Sequence, residues 1–354
     1  MKILFFPFAD FKQGGPRIRV GNIHNELVKK GYSSEVFLPK NRIHYFTRYL
    51  NIFRGNVLHF QKSFDPITLV IMIIAKLLNK KIVIDVDINL YEINPFKMKF
   101  DISLKKKIIR IINREILKLA SYISDAVIVD NKELKKIAQK YSKNVYLLEA
   151  GIDLEKYKAK KKYRLNKEIT IGWIGNGITH RKNLELLIEP LNELGKKYNI
   201  KFILIGALHN KKLYESLKKI KNIKMEIIDE LDWENTELVT SKLRGFDIAV
   251  APMLDTKENR AKDLYKVREY MALAIPLVTS YVGENKNLVE ENADGFFARN
   301  SREWVEKIED LIKSRKLREK TGTNARKKIE EKYSSEKVAQ RFIKILNLSG
   351  KREQ

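Results

Sequence analysis

Residues 245–297 read GFDIAVAPMLDTKENRAKDLYKVREYMALAIPLVTSYVGENKNLVEENADGFF, and their pattern indicates the fold class of the chain. Three short apolar runs, at 248–251, 276–279 and 295–297, are separated by polar or helix-forming sequence. Runs of this length, bounded by Pro, Gly and Asn, predict buried parallel strands. The stretch therefore predicts an open α/β sheet, in which ligands bind at the carboxyl ends of the strands.

The segment between the first two strands carries the charged residues of interest. Helical spacing over 262–272 places Lys262, Lys266, Glu269 and Tyr270 along one side of a predicted helix. Two lysines and a glutamate there suit a phosphate-bearing ligand with sugar hydroxyls, which is a nucleotide-site hypothesis. The alternative is a solvated helix face, because the chain contains 70 Lys and Arg residues.

The order of these pieces resembles the C-terminal domain of GT-B glycosyltransferases, in particular the retaining "group 1" family (family 4). The matching motifs are Ala251-Pro252, Glu269-Tyr-Met-Ala272, Pro276-Leu-Val-Thr-Ser280, Val282-Gly-Glu-Asn285 and Ala293-Asp-Gly-Phe296. The resemblance implies a fold of two Rossmann-like doubly wound α/β domains with a cleft between them and a C-terminal helix that crosses back.

The resemblance also implies roles for residues of the second domain. Its opening strand leads into Gly175-Asn176-Gly177, and Lys182 matches the family's lysine, whereas Asn176 stands at the place of its arginine. Catalytic and diphosphate-binding roles are expected for Lys182 and Lys266. The residues also expected to bind the phosphates are Lys262, Gly175 and Asn176. Glu269 is expected to hold the ribose hydroxyls, and the residues expected at the distal phosphate or donor sugar are Val282, Gly283, Glu284 and Asn285. The family's first glutamate falls on Ala261, so the contact to the donor sugar differs.

In the first domain, the strand at 2–6 is followed by Gly14-Gly15 and a predicted helix over 17–30. This layout presents backbone amides to a phosphate, and an ordinary turn is an equal alternative. By resemblance the loop lies under the donor pyrophosphate, with Arg17 and Arg19 facing the cleft. Asp87, at the end of the strand 81–86, is a candidate for acceptor or donor contact, and a helix N-cap is an equal alternative.

The length of the chain predicts its domain organisation, and its composition indicates the kind of partner. A chain of 354 residues predicts two domains: 1–155 on the acceptor side, a linker at 156–168, 169–334 for the nucleotide sugar, and a terminal helix and tail at 335–354. The chain has no cysteine and a formal net charge of +26. That charge favours anionic partners, although a compositional bias toward lysine explains it equally well.

Segment 102–120 is a basic amphipathic helix, with isoleucines and leucines at helical spacing and lysines and arginines between them. One interpretation is a helix packed on the sheet; the other is a helix that also faces anionic lipid. No apolar run approaches the ~20 residues of a membrane span. The sequence therefore predicts a cytoplasmic protein, soluble or peripheral on the inner face of the membrane.

The predicted reaction is transfer of a sugar from a nucleotide-diphosphate donor to a surface polysaccharide or lipid-linked glycan, with retention. No cofactor, metal cluster or nucleic-acid motif is expected, Asp85-x-Asp87 being the only contender for a metal. Alternatives are a nucleotide-sugar epimerase of the same fold, a polyanion-binding protein, or an inactive transferase that has lost the arginine and the first glutamate.

Overall fold

The structure, a computed structural model, describes residues 1–97, 103–163 and 168–349. Contacts divide the chain into two units. The first comprises Met1–Gly151, Ala261–Asp263 and Ser335–Gln354, and the second comprises Ile152–Arg260 and Leu264–Ser334. The transition at 151/152 lies close to the predicted boundary after residue 155.

The first unit alternates strands and helices. Its strands are β1 (Lys2–Pro7), β2 (Ser33–Val36), β3 (Val57–Gln61), β4 (Lys81–Val86), β5 (Ala126–Val129) and β6 (Val145–Leu147). Its helices are α1 (Asn22–Lys29), α2 (Arg42–Thr47), α3 (Pro66–Leu77), α4 (Leu104–Ile123) and α5 (Lys132–Ala138), with a π-helical turn at Pro16–Gly21 and 3-10 turns at Arg48–Arg54 and Pro95–Lys97.

These strands form one parallel sheet in the order β2-β1-β3-β4-β5-β6. Because successive side chains point to opposite faces, Leu4 and Phe6 join the core under α3, α4 and α5, whereas Ile3 and Phe5 join the core under α1. The chain leaves β1 first toward β2 and then toward β3. The point between β1 and β3 is therefore the topological switch point, where open sheets of this kind bind ligands.

The second unit repeats the plan. Its strands are β7 (Ile169–Ile174), β8 (Ile200–Ile205), β9 (Lys224–Ile228), β10 (Ile248–Ala251), β11 (Leu277–Ser280) and β12 (Phe296–Ala298). Its helices are α6 (Gly177–Leu184), α7 (Ile188–Gly195), α8 (Lys211–Leu217), α9 (Thr236–Arg244), α10 (Lys257–Arg260), α11 (Tyr265–Ala272), α12 (Asn285–Leu288), α13 (Ser301–Lys313) and α14 (Arg315–Lys328), with a 3-10 turn at Glu185–Leu187 and a π-helical turn at Ile329–Tyr333.

The second sheet is also parallel, in the order β12-β11-β10-β7-β8-β9. Its switch point lies between β7 and β10, since the chain leaves β7 toward β8 and returns on the other side at β10. Layers of helices cover both faces, and the buried strands are correspondingly apolar. Each large apolar side chain buried there contributes about 1.5–3 kcal/mol relative to exposure.

The last helix, α15 (Ser335–Leu348), belongs to the first unit. Its apolar stripe packs on the sheet face that carries Ile3 and Phe5, and the ring centroids of Phe342 and Phe5 are 5.8 Å apart. The chain therefore returns to its first unit after completing the second, as the sequence predicts.

The predicted strands agree with the structure to within a residue or two, whereas two helix starts differ. The sequence predicts the helix after the Gly175-Asn176-Gly177 loop to begin at about Lys182. It begins at Gly177, because Asn176 caps it by accepting a hydrogen bond from the Thr179 amide at 3.1 Å. The helix expected to include Lys262 begins only at Tyr265. Lys262 lies outside that helix, so Lys262 and Lys266 do not share one helical face.

Candidate functional site

A pair of glycines shapes the loop at the carboxyl end of β7. Gly175 has φ +155° and Gly206, after the neighbouring β8, has φ +94°. A Cβ on Gly206 would lie 2.0 Å from the Gly175 carbonyl oxygen, so only glycine allows this approach. The Gly177 amide then donates to the Gly206 carbonyl at 2.7 Å, which fixes the loop at the switch point.

Helix α11 is tied to the same loop by the tyrosine of the Glu-Tyr-Met-Ala motif. Tyr270 is fully buried, and its hydroxyl accepts a hydrogen bond from the Ile174 amide at 2.9 Å. Burial raises the pKa of Tyr270 above its ordinary range, so the hydroxyl stays neutral. One turn earlier, Lys266 crosses the loop, with its Cε 3.0 Å from the position that a Cβ on Gly175 would occupy.

The end of Lys266 meets a buried histidine, His180, on α6. The Lys266 Nζ lies 3.3 Å from His180 Nε2 and 5.7 Å from the centroid of the Trp173 ring. On the other side of the imidazole, His180 Nδ1 lies 3.1 Å from Asn183 Nδ2. His180 thus connects α6 to the first turn of α11.

The hydrogen bonds of Asn183 assign the tautomer of His180. The Asn183 Oδ1 accepts from the Leu254 amide and from Asn259 Nδ2, both at 3.0 Å, which orients the Asn183 NH₂ group toward the imidazole. His180 Nδ1 is then the acceptor, and in the neutral ring the proton lies on Nε2. Two donors, Nε2–H and the Lys266 ammonium, therefore face each other, an arrangement that suits a shared anionic oxygen.

Glu269, the glutamate of the Glu-Tyr-Met-Ala motif, is buried. Glu269 is 8% exposed, and its Oε1 accepts a hydrogen bond of 2.5 Å from the hydroxyl of Tyr157, which is 7% exposed. Tyr157 lies in the segment predicted as a linker, so that segment supports the site instead of merely connecting domains.

Replacing Tyr157 by phenylalanine is expected to destabilise the protein, because the buried Glu269 carboxylate loses a donor. Hydrogen bonds to charged groups contribute about 1.5–3 kcal/mol, and urea unfolding measures the loss. Tyr163→Phe is the matched control, since the Tyr163 hydroxyl donates to a neutral acceptor, the Ala274 carbonyl. That variant should lose only about 1 kcal/mol. Equal losses in the two variants would contradict a charged acceptor at Tyr157.

Lys182 lies apart from this arrangement. Lys182 is exposed on α6, two residues after His180 and thus on the opposite side of the helix. Lys262 precedes α11, as described above. Within the second unit, the structure brings Lys266, and not Lys182, to the Gly175 loop.

The predicted donor-sugar segment, Val282–Asn285, forms a tight turn after β11. The Val282 amide donates to the Ser280 carbonyl at 2.8 Å, and Gly283 adopts φ +56°. Asn285 is fully buried, and its Nδ2 donates to the same Ser280 carbonyl at 3.1 Å. Glu284 precedes the short α12 as its N-cap. The turn stands at the end of the strand next to β10.

In the first unit, Arg19 does not fit the expectation of a phosphate ligand. Its guanidinium, 1% exposed, contacts Asp85 at 2.8 Å and Asp130 at 3.1 Å, and it donates to the Leu148 carbonyl at 3.0 Å. Burial alone would raise the pKa of Asp85, but the charge of Arg19 and the adjacent His59 lower it below its usual value. Arg19 is a structural cation that joins β4, β5 and the end of β6.

The other predicted residues of the first unit lie at the ends of β1 and β4. Gly14 and Gly15 precede the π-helical turn, and Arg17 is half-buried, with its Nη1 3.3 Å from the Phe11 carbonyl. Asp87 is 1% exposed, and its Oδ1 lies 2.7 Å from the Lys62 Nζ. It caps no helix, so the N-cap alternative for Asp87 is wrong.

Sequence reasoning missed His180, Tyr157 and Gln61. His180 follows Gly175-Asn-Gly177 by three residues, one helical turn, and this spacing is the signal that could have placed it on the loop. Tyr157 and Gln61 carry no such local signal, because packing between distant parts of the chain places Tyr157 at Glu269 and strand pairing places Gln61 beside Asp85. Within the described ranges, no group of three or more His, Asp or Glu side chains is placed to hold a metal ion. None of the helices over those ranges is long and apolar enough to cross a membrane.

Comparison with solved structures defines the fold. The chain is similar to sucrose-phosphate synthase from Thermosynechococcus elongatus, with a TM-score of 0.71 and 12% identity over 98% of this chain and 99% of the other. It is also similar to HepE of Anabaena, solved with UDP and glucose, with a TM-score of 0.67 and 16% identity over 98% and 99% of the two chains. Together with the two six-stranded parallel sheets, these likenesses establish the GT-B fold.

Comparison of sequences adds a family match within the second unit. Residues 168–314 match the family described as "Glycosyl transferases group 1". A capsular polysaccharide biosynthesis glycosyltransferase, CapM of Staphylococcus aureus, is 28% identical over 214 residues, which are 56% of this chain. The match spans about half of that relative, 52% of its length. The segment with group 1 similarity contains Gly175, His180, Lys266 and Glu269.

Proposed function

We propose that the protein is a glycosyltransferase that takes its sugar from a nucleotide-diphosphate donor. The observation that carries the proposal is the convergence of His180 Nε2–H and the Lys266 ammonium, 3.3 Å apart, beside the Gly175 loop. A diphosphate oxygen between them would accept a hydrogen bond from each donor, so binding the diphosphate stabilises two donors that otherwise repel each other. The group 1 similarity of residues 168–314 supports the same assignment.

In this proposal the second unit stabilises the leaving nucleoside diphosphate. Lys266 and His180 donate to oxygens whose negative charge grows as the glycosidic bond breaks, and Asn183 holds the imidazole in the donating tautomer. Glu269, oriented by Tyr157, accepts from the ribose hydroxyls. The turn Val282–Asn285 presents polar groups to the distal phosphate or the sugar. The reaction proceeds with retention and without a metal or other cofactor, and no protein nucleophile is assigned.

The direct test is the release of nucleoside diphosphate from UDP-, GDP- and ADP-sugars, with analysis of the sugar product. A transferase releases the nucleoside diphosphate from one class of donor, either by sugar transfer or by slow hydrolysis of the donor. An epimerase changes the donor sugar without needing an acceptor, so products from donor alone separate these two functions. Release from none of the donors, with nucleic-acid affinity that falls steeply with salt, would favour the polyanion-binding alternative.

We further infer that an apolar and basic surface on the first unit faces the membrane, which favours a lipid-linked or surface-glycan acceptor and a cytoplasmic location at the inner face of the membrane. Helix α3 buries Thr68, Met72 and Ala75 and exposes five apolar side chains: Ile67, Val70, Ile73, Ile74 and Leu77. Helix α4 covers the same sheet face and exposes Leu104, Ile108, Ile109, Ile112 and Leu119. Its twenty residues hold six Lys or Arg and one Glu. Apolar side chains mixed with cations match an anionic bilayer surface.

Vesicles of zwitterionic lipid mixed with anionic lipid are expected to bind the protein, and added salt should weaken the binding because part of the attraction is electrostatic. Ile73→Glu combined with Leu77→Glu should reduce co-sedimentation strongly. Val28→Glu is the control, since Val28 is also exposed, on a helix of the opposite sheet face. Absence of binding at low salt, or equal loss in the control, would rule out the surface. The predicted segment starts at Ile102, which lies outside the described residues.

A further inference from the structure

The short segment Leu254–Arg260, which follows β10 and includes α10, connects two parts of the second unit. Near its start and middle it contacts Asn183, which lies three residues after His180 on α6. At its end it contacts Gly283, in the turn after β11. The segment is therefore placed to transmit a displacement of the turn to the surroundings of His180.

The side chain of Asn259, in the middle of this segment, is held in one orientation. Asn259 is 7% exposed, and its Nδ2 donates to the Leu254 carbonyl at 2.8 Å and to Asn183 Oδ1 at 3.0 Å. Both hydrogens of the amide group are used in this way. Turning the amide around would place its oxygen against two other oxygens, so this orientation is the stable one.

Asn183 transmits this orientation to the imidazole of His180. Its Oδ1 accepts from Asn259 and from the Leu254 backbone amide, a group that can only donate. Asn183 Nδ2 must then face His180 Nδ1, which is 3.1 Å away and accepts. The proton of the neutral ring is kept on Nε2, 3.3 Å from the Lys266 Nζ. We call the side chains of Asn259, Asn183 and His180 the relay.

The tautomer of His180 decides how this residue interacts with Lys266. With the proton on Nε2, two donors face each other, and an anionic oxygen completes both. With the proton on Nδ1, Nε2 would instead accept a hydrogen bond from the lysine, and the two side chains would pair with each other. The relay therefore disfavours that pairing and keeps both donors directed at a ligand.

At its other end the segment packs against the turn that contains Gly283. A Cβ on Gly283 would lie 2.9 Å from both the Cα and the carbonyl oxygen of Arg260, and Gly283 has φ +56°. Space and conformation therefore both require glycine here. Within the segment, the Arg260 amide donates to the Thr256 carbonyl at 2.9 Å, and the Asn259 amide donates to the Thr256 hydroxyl oxygen at 3.2 Å. These bonds join Arg260 to Asn259 in one compact turn.

We propose that Asn259 is a positioning residue for His180, and that the segment Leu254–Arg260 couples the turn at Gly283 to the tautomer of that histidine. The inference rests on the proposed function for the role of His180 at the diphosphate. A displacement of the turn reaches Arg260, then Asn259 and Asn183, and changes which ring nitrogen of His180 carries the proton. Both asparagines act through His180, so neither is a catalytic residue.

The test reads the tautomer of His180 from the ¹⁵N shifts of its ring in the isotope-labelled full chain, without added ligand, at about pH 8, where an ordinary histidine is neutral. The chain has five histidines, and the His180 signals are assigned by their absence in His180→Phe. The parent is expected to show a protonated Nε2 and an unprotonated Nδ1. A parent ring with a protonated Nδ1 would overturn the proposal.

Asn259→Asp should reverse the tautomer. The new carboxylate faces Asn183 Oδ1, so the Asn183 amide turns to donate to the carboxylate and presents its oxygen to His180. Nδ1 should then become protonated. Asn259→Ala removes the donor without adding a charge and should move the ring signals in the same direction by a smaller amount. Parent-like signals in both variants would refute the positioning role.

Asn192→Asp is the matched control for these variants. Asn192 also bridges two backbone groups, the Lys219 carbonyl and the Lys221 amide, but it lies on α7. The ring signals of His180 should be unchanged in this variant. A change as large as that in Asn259→Asp would show that the effect is not specific to the relay and would overturn the proposal.

Gly283→Ala tests the coupling, because its Cβ would push against the backbone of Arg260. We expect the ring signals of His180 to shift in this variant. Gly31→Ala is the control, since Gly31 also has a positive φ, +78°, but a Cβ there would meet no described atom within 4 Å. Unchanged His180 signals in Gly283→Ala, or an equal shift in the control, would refute the coupling.

The kinetic effect separates failure of this inference from failure of the proposed function. Asn259→Asp should lower turnover at least about tenfold with a smaller change in KM, because Nε2–H acts on charge that grows in the transition state. If the ring signals move as expected but the parent releases no nucleoside diphosphate from any donor, the relay stands and the glycosyltransferase proposal falls. If the parent releases it and Asn259→Asp keeps both the turnover and the ring signals of the parent, only the relay is wrong.

Discussion

Lys266→Ala is expected to lower turnover by about 10²–10³, the loss typical of removing one preorganised group that stabilises developing charge. The reason is geometric: Lys266 is the predicted lysine that reaches the Gly175 loop, and its Nζ lies 3.3 Å from His180 Nε2. The steady-state rate of nucleoside diphosphate release measures the effect. Donor affinity should fall less than turnover, because the charge on the leaving group grows in the transition state.

Two further variants sharpen this prediction. His180→Phe removes the second donor and should also lower turnover, whereas His180→Gln, which can restore an N–H, should lose less. Lys316→Ala on the exposed surface of α14 removes a lysine from the same unit and should have no effect on turnover. A Lys266→Ala enzyme with the turnover of the parent would contradict the assignment.

Arg19→Met is expected to lower the free energy of unfolding by about 3–5 kcal/mol, because it leaves the buried carboxylates of Asp85 and Asp130 without their cation. Urea unfolding at neutral pH measures the loss. Arg302→Met is the matched control, since Arg302 pairs with Glu306 on the exposed surface of α13. Exposed pairs of this kind contribute little, so the control should stay within about 0.5 kcal/mol.

The pH dependence of this effect has a definite sign. In the parent protein the pKa of Asp85 lies below its ordinary value of 3.8. Its contribution to stability is therefore present above about pH 4 and is lost as the pH falls through the lowered folded-state pKa. Without Arg19 the carboxyl protonates more readily, so the difference between variant and parent should shrink in acid. A constant difference across that range would contradict a charge-based role for Arg19.

Local patterns predicted the strands and the order of the two sheets' elements well. Short apolar runs such as 248–251 and 81–86 are typical of buried strands in a parallel sheet. The motif order around Glu269 resembles that of GT-B glycosyltransferases, and this resemblance indicated the fold. Helix starts were harder to predict, because local capping determines them. Asn176 caps α6, which therefore begins at Gly177, and α11 begins three residues after Lys262.

The partners of buried polar residues could not be read from the chain in the same way. Arg19 follows a glycine loop, which indicates a phosphate ligand, yet its three partners lie 66 to 129 residues away. The pairings of Tyr157 with Glu269 and of Lys62 with Asp87 likewise depend on strand order. Charge alone does not distinguish a cation that faces a ligand from one that neutralises the core.

The central claim, that the second unit binds a nucleotide diphosphate, is tested most directly by thermal stabilisation with UDP, GDP, ADP and their sugar conjugates, with and without chelator. We predict a rise in Tm with one nucleotide class that is unchanged by chelator and is smaller in Lys266→Ala. No rise with any nucleotide would contradict the claim.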